Sequence, residues 1–228
     1  FLVEKTFFVS LVQRKLTDDN LSAPKRTRLV ITMSRQHGCY GAETALELQK
    51  ILGKEWIIFH REILEAIAKD SGIEKEYLEQ FDYKSISWID ELINGFNKPY
   101  INERTYLTYL KKFLTSLSEK GKVIVIGRGA NFILKDALHV RLVAPLETRV
   151  KNLMEINKYT RGEAEKELEE ADVQRKTYIK KLFDDDIDNP HNYDLIINTK
   201  NLSFKEIAKI ISETAKVSSI FKYHLAIS

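Results

Sequence analysis

The stretch LVITMSRQHGCYGAET, residues 29–44, decides the fold of this 228-residue chain. Residues 29–34 are apolar and rich in β-branched side chains, which is typical of a strand buried on both faces. A loop containing Gly38 and Gly41 follows. The apolar spacing of residues 42–52 then predicts a helix that ends at Gly53. A buried strand, a glycine loop and a helix in this order predict a parallel α/β unit.

Four further apolar runs predict strands, at residues 56–59, 122–126, 139–143 and 195–198. Because these runs are apolar on both faces, they favour a parallel sheet covered by helices, with the first strand in its middle. Helices are predicted at residues 100–120, 146–157 and 161–183. The last is charged on nearly every side, and we expect it to project into solvent.

The spacing of the strands predicts two helical inserts. About 60 residues separate the second strand from the third, which is too many for a simple crossover with short loops. The first insert is predicted to contain helices at residues 61–71, 74–81 and 86–96. The second insert follows the fourth strand.

Composition excludes several classes of protein. Hydrophobic residues make up 43% and charged residues 30%, which excludes a disordered chain, and the single Cys excludes an internal disulfide. No apolar run approaches the roughly 20 residues of a membrane span, and we expect no apolar leader sequence. We therefore expect a cytoplasmic protein without a membrane partner.

The charge is unevenly distributed along the chain. Residues 1–28 hold six basic and three acidic residues, which equals the whole net charge of +3. The remaining chain is neutral, which disfavours a nucleic-acid partner, because such binding neutralises many phosphates. We interpret residues 1–27 as an extension that is solvated or contacts an acidic partner. The sequence does not distinguish a monomer from a homodimer.

The glycine loop alone supports two interpretations. Glycines let backbone N–H groups approach phosphate oxygens, and the helix N-terminus adds positive potential. The full phosphate-loop motif also carries a Lys for phosphate and a Ser or Thr for Mg²⁺, and this loop has neither at the expected positions. A phosphate site and an ordinary strand-to-helix turn both remain open on local spacing.

Four segments together resemble the cytidylate kinase-like family, a divergent branch of the P-loop nucleoside monophosphate kinases. They are ITMSRQ at 31–36 with its glycine loop, IFHREIL at 58–64, VIGRGAN at 125–131 followed by VRLVAP at 140–145, and YDLIINT at 193–199. The resemblance extends over roughly residues 28–216.

This resemblance implies a P-loop three-layer sandwich spanning residues 28–228, with a helical monophosphate-binding insert at about 61–121 and a lid at about 158–190. It implies ATP as phosphoryl donor, with Mg²⁺ held mainly through the nucleotide phosphates, and a nucleoside monophosphate or similar small phosphate as acceptor. The implied nucleotide contacts lie in the loop and its flanks, at Ser34, Arg35, Gly38, Cys39, Tyr40, Gly41 and Ala42.

The loop departs from the pattern of working P-loop kinases. Gly41 stands at the lysine position, Ala42 at the serine or threonine position, and Tyr40 at a glycine position. The nearest cation that could replace the lysine is Arg35. A non-catalytic nucleotide- or phosphometabolite-binding protein is therefore the alternative to a kinase, and a nucleic-acid-associated protein acting through residues 1–27 is a third hypothesis.

Three arginines are the candidate catalytic residues. Arg128 follows the third strand between two glycines, where its planar guanidinium suits a phosphate. The resemblance aligns it with a Gly-Arg-Asp triplet, and because Gly129 replaces the Asp, cytosine specificity does not carry over. Arg149 and Arg175 match arginines of the lid, which close over the transferring phosphoryl group. Each of the three could instead form a structural ion pair.

Three other groups of polar residues bear on the interpretation. Asp172, Arg175 and Tyr178 share one helix face, which resembles the lid's Asp-x-x-Arg element. The acidic run at 184–188 lacks the spacing of a calcium loop, and we interpret it as solvated. His37 and His60 fall near the loop, and we expect both to be hydrogen-bonding residues.

Overall fold

The computed structural model describes residues 29–60 and 103–218. The N-terminal extension and the three helices predicted between residues 61 and 96 lie outside the described residues. The boundaries that the sequence predicts for the extension, the insert and the lid therefore stay predictions.

Five parallel strands form one sheet in the order β2-β3-β1-β4-β5. The predicted five-stranded parallel core with the first strand at its centre is confirmed, and each strand lies within one residue of its predicted bounds. The strands are β1 (Val30–Arg35), β2 (Ile57–His60), β3 (Val123–Ile126), β4 (Leu138–Val143) and β5 (Leu195–Asn198).

Six α-helices accompany the sheet in the described part of the chain. They are α1 (Gly41–Leu52), α2 (Glu103–Lys120), α3 (Ala130–Ile133), α4 (Leu146–Asn157), α5 (Arg161–Phe183) and α6 (Phe204–Val217). A short 3-10 helix covers Pro190–Asn192. Helices α5 and α6 each begin with a capping box, Thr160 with Glu163 and Ser203 with Glu206, which satisfies backbone N–H groups that the first turn leaves without partners.

The two faces of the sheet are covered by different helices, which gives three layers. Successive residues of a strand point to opposite faces. Ile31 and Ile124 therefore pack in the cluster that also contains residues of α1 and α6. Val30 and Val123 pack in the cluster that contains residues of α2 and α3. All four side chains are buried, so the central strands form the core from both sides.

The prediction that residues 161–183 project into solvent is wrong. Ala164 and Leu168 of α5 are buried against Val150 and Leu153 of α4. A narrow stripe of small and aliphatic residues makes this contact, and the charged residues around it mask the stripe in the sequence pattern. Because α5 is packed in place, its next turns stand over the carboxyl ends of the central strands.

Within residues 29–60 and 103–218, none of the helices combines the length and apolar character that crossing a membrane requires.

A candidate anion site at the carboxyl ends of the strands

The turn after β3 holds Arg128 in an unusual backbone conformation. Gly127, Arg128 and Gly129 have φ angles of 77°, 58° and 64°, three consecutive left-handed residues. Glycine adopts this conformation freely, whereas a residue with a Cβ is strained in it by about 1–2 kcal/mol. The hydroxyl of Tyr178 on α5 donates a hydrogen bond to the Arg128 carbonyl at 3.4 Å. Strain of this kind is typical of ligand-binding turns.

Arg35, the last residue of β1, extends from the glycine loop to this turn. A Cβ at position 41 would lie 3.1 Å from its Cγ, and a Cβ at position 127 would lie 2.6 Å from its Nη1. The two glycines therefore leave the space that the Arg35 side chain occupies. Arg35 therefore places a guanidinium at the strand ends, where the loop itself supplies no lysine.

Arg175 reaches the same place from α5. Its Nη2 lies 3.3 Å from Nδ1 of His37, whereas its Nη1 is buried and makes no hydrogen bond to any residue that the structure describes. Burial lowers the pKa of the Arg175 guanidinium, and the charge of Asp172 opposes this shift. A buried N–H donor without an acceptor is costly, so this arm of Arg175 is suited to a ligand.

The three guanidinium groups line one cavity of about 290 Å³. No carboxylate is present among its described lining residues, and Nδ2 of Asn131 is a second buried donor without a partner there. Three arginines in a concave site whose described lining contains no carboxylate attract anions. The remaining lining is polar at Ser34, Gln174 and Tyr178, and apolar at Ile126, Ala171, Ile179 and Ile187.

Only some of the residues predicted to contact the nucleotide line the cavity. Ser34 and Arg35 line the cavity, whereas Gly38, Cys39, Tyr40, Gly41 and Ala42 are absent from its described lining. Nδ2 of Asn152 on α4 donates to the Gly38 carbonyl at 2.7 Å, and Tyr40, with φ 53°, packs its ring against Phe204 of α6. Cys39 is buried, and burial raises the pKa of its thiol.

Arg149 also lies apart from the other two arginines predicted to be catalytic. Its Nη1 donates to Oδ2 of Asp172 at 2.6 Å, its side chain is 9% exposed, and it does not line the cavity. The structure thus brings Arg128 and Arg175 together with Arg35, whereas Arg149 lies outside the described cavity lining and pairs with Asp172.

Arg141 of β4 was not predicted as a site residue. Its side chain is 4% exposed and donates to Oγ of Ser34 at 2.8 Å and to Oδ1 of Asp188 at 2.5 Å. Its guanidinium also lies over the Tyr193 ring, 5.5 Å from the centroid. An arginine inside the otherwise apolar strand run VRLV was the available sequence signal. Because Ser34 lines the cavity, the hydrogen bond from Arg141 helps to hold the cavity lining in place.

The acidic run after α5 is used within the fold. Asp188 pairs with Arg141 and also accepts from Nζ of Lys176 at 2.8 Å. Oδ1 of Asp185 accepts from Nδ2 of Asn192 at 3.0 Å. In the described ranges, no three His, Cys, Asp or Glu side chains are grouped so that they could hold a metal ion.

A sequence profile of the cytidylate kinase-like family matches residues 30–201, which is more than half of the chain. The chain belongs to the cytidylate kinase-like family. This membership makes it a nucleotide-kinase-like protein, and it agrees with the four sequence segments that carried the resemblance.

Three individual proteins are similar to this chain. The crystal structure of an uncharacterised protein from Eubacterium ventriosum has a TM-score of 0.60 and 20% identity, covering 87% of this chain and 99% of that one, which shows a shared fold. A Thermus thermophilus protein has a TM-score of 0.45 and 14% identity, with coverages of 85% and 100%. Uronate isomerase from Corynebacterium glutamicum is 26% identical over 107 residues, which are 46% of this chain and only 20% of that enzyme.

Proposed function

We propose that this protein transfers the γ-phosphoryl group of ATP to a nucleoside monophosphate or a similar small phosphate acceptor. The observation that carries the proposal is the cavity at the carboxyl ends of β1 and β3. Arg35, Arg128 and Arg175 line it, and its described lining contains no acidic residue. Ligands of open parallel sheets bind at this edge, and transfer of a phosphoryl group depends on positioning and on compensation of negative charge.

Each of the three arginines has a separate role in this proposal. Arg128, held by the strained turn, binds the acceptor phosphate. Arg175, with a buried N–H arm that lacks a partner, stabilises the group in transfer, where negative charge develops. Arg35 takes the place of the missing lysine against the donor phosphates. When bound, ATP with Mg²⁺ supplies the reactive phosphoryl group and part of the charge compensation.

The chain's donor set fits phosphates, and it leaves Mg²⁺ to the nucleotide. The buried donors of Arg175 and Asn131 match phosphate oxygens. The described lining offers no carboxylate to the metal, which agrees with Mg²⁺ being bound chiefly through substrate phosphates. The backbone of the loop from Gly38 to Ala42 is proposed to contact the donor from the beginning of α1, and Arg149 to contribute through Asp172.

A non-catalytic nucleotide- or phosphometabolite-binding protein is the second candidate. It is favoured by the space beside Gly41, where the Arg35 side chain lies within 3.1 Å of a Cβ at that position. A side chain at position 41 would therefore require the Arg35 side chain to shift by a few tenths of an ångström. Binding of the nucleotide without turnover separates this candidate from a kinase.

The test is a comparison of four proteins by calorimetry with ATP and by a coupled assay with each nucleoside monophosphate. Arg35→Ala is expected to weaken ATP about tenfold, since one charge-assisted contact is lost. Gly41→Lys is expected not to improve ATP binding, because Arg35 already occupies the space. Arg161→Ala is the matched control, since Arg161 is exposed and pairs with Glu147 outside the cavity.

Three results would contradict the proposal at different points. A wild-type protein that binds no nucleotide at millimolar concentration would overturn nucleotide recognition altogether. Tight ATP binding with no turnover for any monophosphate would leave the binding protein as the function. A gain in ATP affinity from Gly41→Lys would show that Arg35 does not replace the lysine.

A further inference from the structure

His37 connects the glycine loop to α5 through three polar contacts. Its Nε2 lies 2.6 Å from Oε1 of Glu167, its Nδ1 lies 3.3 Å from Nη2 of Arg175, and its backbone N–H donates to Oδ1 of Asp172 at 3.5 Å. All three partners belong to α5, more than a hundred residues further along the chain. The His37 side chain is 26% exposed, so the contacts are partly shielded from water.

The partners assign one tautomer to the His37 ring. A guanidinium can only donate, so Nδ1 must be the acceptor toward Arg175 and carries no proton. The proton of the neutral ring is then on Nε2, which donates to the Glu167 carboxylate. A second proton on Nδ1 would face the positive charge of Arg175.

The charged groups around the ring act in both directions. Burial lowers the pKa of His37, and the positive charges of Arg175 and of Arg35 on β1 lower it further. The hydrogen bond and charge of Glu167 raise it. Asp172 accepts a hydrogen bond from the backbone N–H of His37 and is itself paired with Arg149 of α4.

The two terminal nitrogens of the Arg175 guanidinium have different surroundings. Nη2 of Arg175 is directed to His37, whereas Nη1 is the buried arm without a partner in the described residues. Because the guanidinium is planar and rigid, fixing one nitrogen fixes the direction of the other. His37 therefore determines where the remaining donor points.

We infer that His37 is a positioning residue, which in its Nε2-protonated neutral form orients Arg175 toward the anion in the cavity. This inference rests on the proposed function. It adds that anion affinity depends on an acceptor at the Nδ1 position and falls when Nδ1 is protonated, because the ring then repels Arg175.

The sharpest test is a pair of amide variants, of which one keeps the contact to Arg175 and the other keeps the contact to Glu167. In His37→Asn, the side-chain oxygen stands as many bonds from Cα as Nδ1 and can still accept from Arg175. In His37→Gln, the amide nitrogen stands where Nε2 does and can still donate to Glu167, but the acceptor toward Arg175 is lost. The probes are ATP and sulfate, and binding is measured by calorimetry together with the melting temperature of each variant.

A positioning role predicts a specific order of affinities. His37→Gln is expected to weaken ATP and sulfate about fivefold to tenfold, and His37→Asn less than twofold. In an Arg175→Ala background, the Gln substitution is expected to have no further effect, because its action passes through Arg175. A role as a mere contact to Glu167 would give the reverse order, with His37→Asn the weaker binder, and would overturn the inference.

The pH dependence is a separate readout, for which sulfate is the probe because it stays a dianion over the range used. Wild-type affinity for sulfate is expected to decrease from pH 7.5 to pH 5, and His37→Asn to remove most of that decrease. Equal pH profiles for the two proteins would overturn the inference. Wild-type protein that binds neither ATP nor sulfate would overturn the proposed function as well, whereas normal binding by His37→Gln would overturn only the role of His37.

Discussion

Two sets of arginines lie near the carboxyl ends of the strands, and their surroundings differ. Arg141 and Arg149 are nearly inaccessible, and each ends on a carboxylate, 2.5 Å from Asp188 and 2.6 Å from Asp172 respectively. Arg35, Arg128 and Arg175 line a cavity whose described lining has no carboxylate. We refer to these as the paired set and the cavity set.

The difference shows which surroundings give an arginine a structural role and which suit it to ligand binding. A buried charge is tolerated when an opposite charge and hydrogen bonds compensate its lost hydration. The paired set has such compensation within the fold, so its removal should cost stability. The cavity set lines a space open to an anion, so its removal should cost affinity or turnover instead.

The largest expected effect is on turnover in the cavity set. Arg175→Ala is expected to reduce kcat about 100-fold or more, because the arginine compensates charge that develops in the transition state. Its effect on the free energy of unfolding is expected to stay below about 1 kcal/mol. Steady-state kinetics and urea unfolding measure the two quantities. If Arg175→Ala lowers the free energy of unfolding by more than Arg141→Met is expected to, Arg175 belongs to the paired set.

The next effect is on stability in the paired set. Arg141→Met is expected to lower the free energy of unfolding by about 2–3 kcal/mol, because it leaves Asp188 without its buried partner. The partial exposure of Asp188 keeps the loss below that of a fully buried pair. Lys176→Met is the matched control. It removes the exposed cation from the same carboxylate and should cost less than about 1 kcal/mol. Equal losses of unfolding free energy in the two variants would show that burial of the cation does not decide its contribution to stability.

Arg149 is the most informative case for this comparison. The family resemblance predicts that it is catalytic, whereas its pairing with Asp172 favours a structural role. Arg149→Met is expected to cost about 1–2 kcal/mol of stability, because Asp172 then loses its partner. Turnover should fall less than tenfold, through the displaced Asp172. A 100-fold loss of kcat in a stable variant would restore Arg149 to the catalytic group.

The smallest expected effect is the pH dependence of stability. Nδ1 of His139, also on β4, lies 2.7 Å from Oγ1 of Thr32, and burial lowers the pKa of its ring from 6.5 while Asp194 opposes the shift. Below pH 6.5 the unfolded chain therefore binds a proton that the folded chain does not, so stability falls as pH falls, and above pH 6.5 the term vanishes.

His139→Gln is expected to flatten this acid dependence between pH 6.5 and 5, as measured by urea unfolding at each pH. His37 contributes in the same direction, so some slope should remain. A slope unchanged from wild type would show that His139 does not contribute to it.

The sequence by itself determined the strands, their parallel arrangement and the family. Each strand is a short apolar run that is visible directly in the sequence, and the first of them lies at the centre of the sheet as predicted. The sequence also predicts Arg128 as a phosphate contact, because flanking glycines leave its planar guanidinium unobstructed at a strand end. The structure places Arg128 in the cavity lining, and its role stays a prediction. These signals are local, and neighbouring residues suffice to create them.

Only the tertiary structure decided which arginines line the cavity and which end on Asp172 or Asp188. Arg141 meets Asp188 across 47 residues of sequence, and His37 meets Glu167 across 130. These partnerships depend on α5 packing against α4 through a narrow apolar stripe hidden among charges. The role of a charge is set by the groups that surround it after burial, and those groups come from distant segments that no local pattern connects.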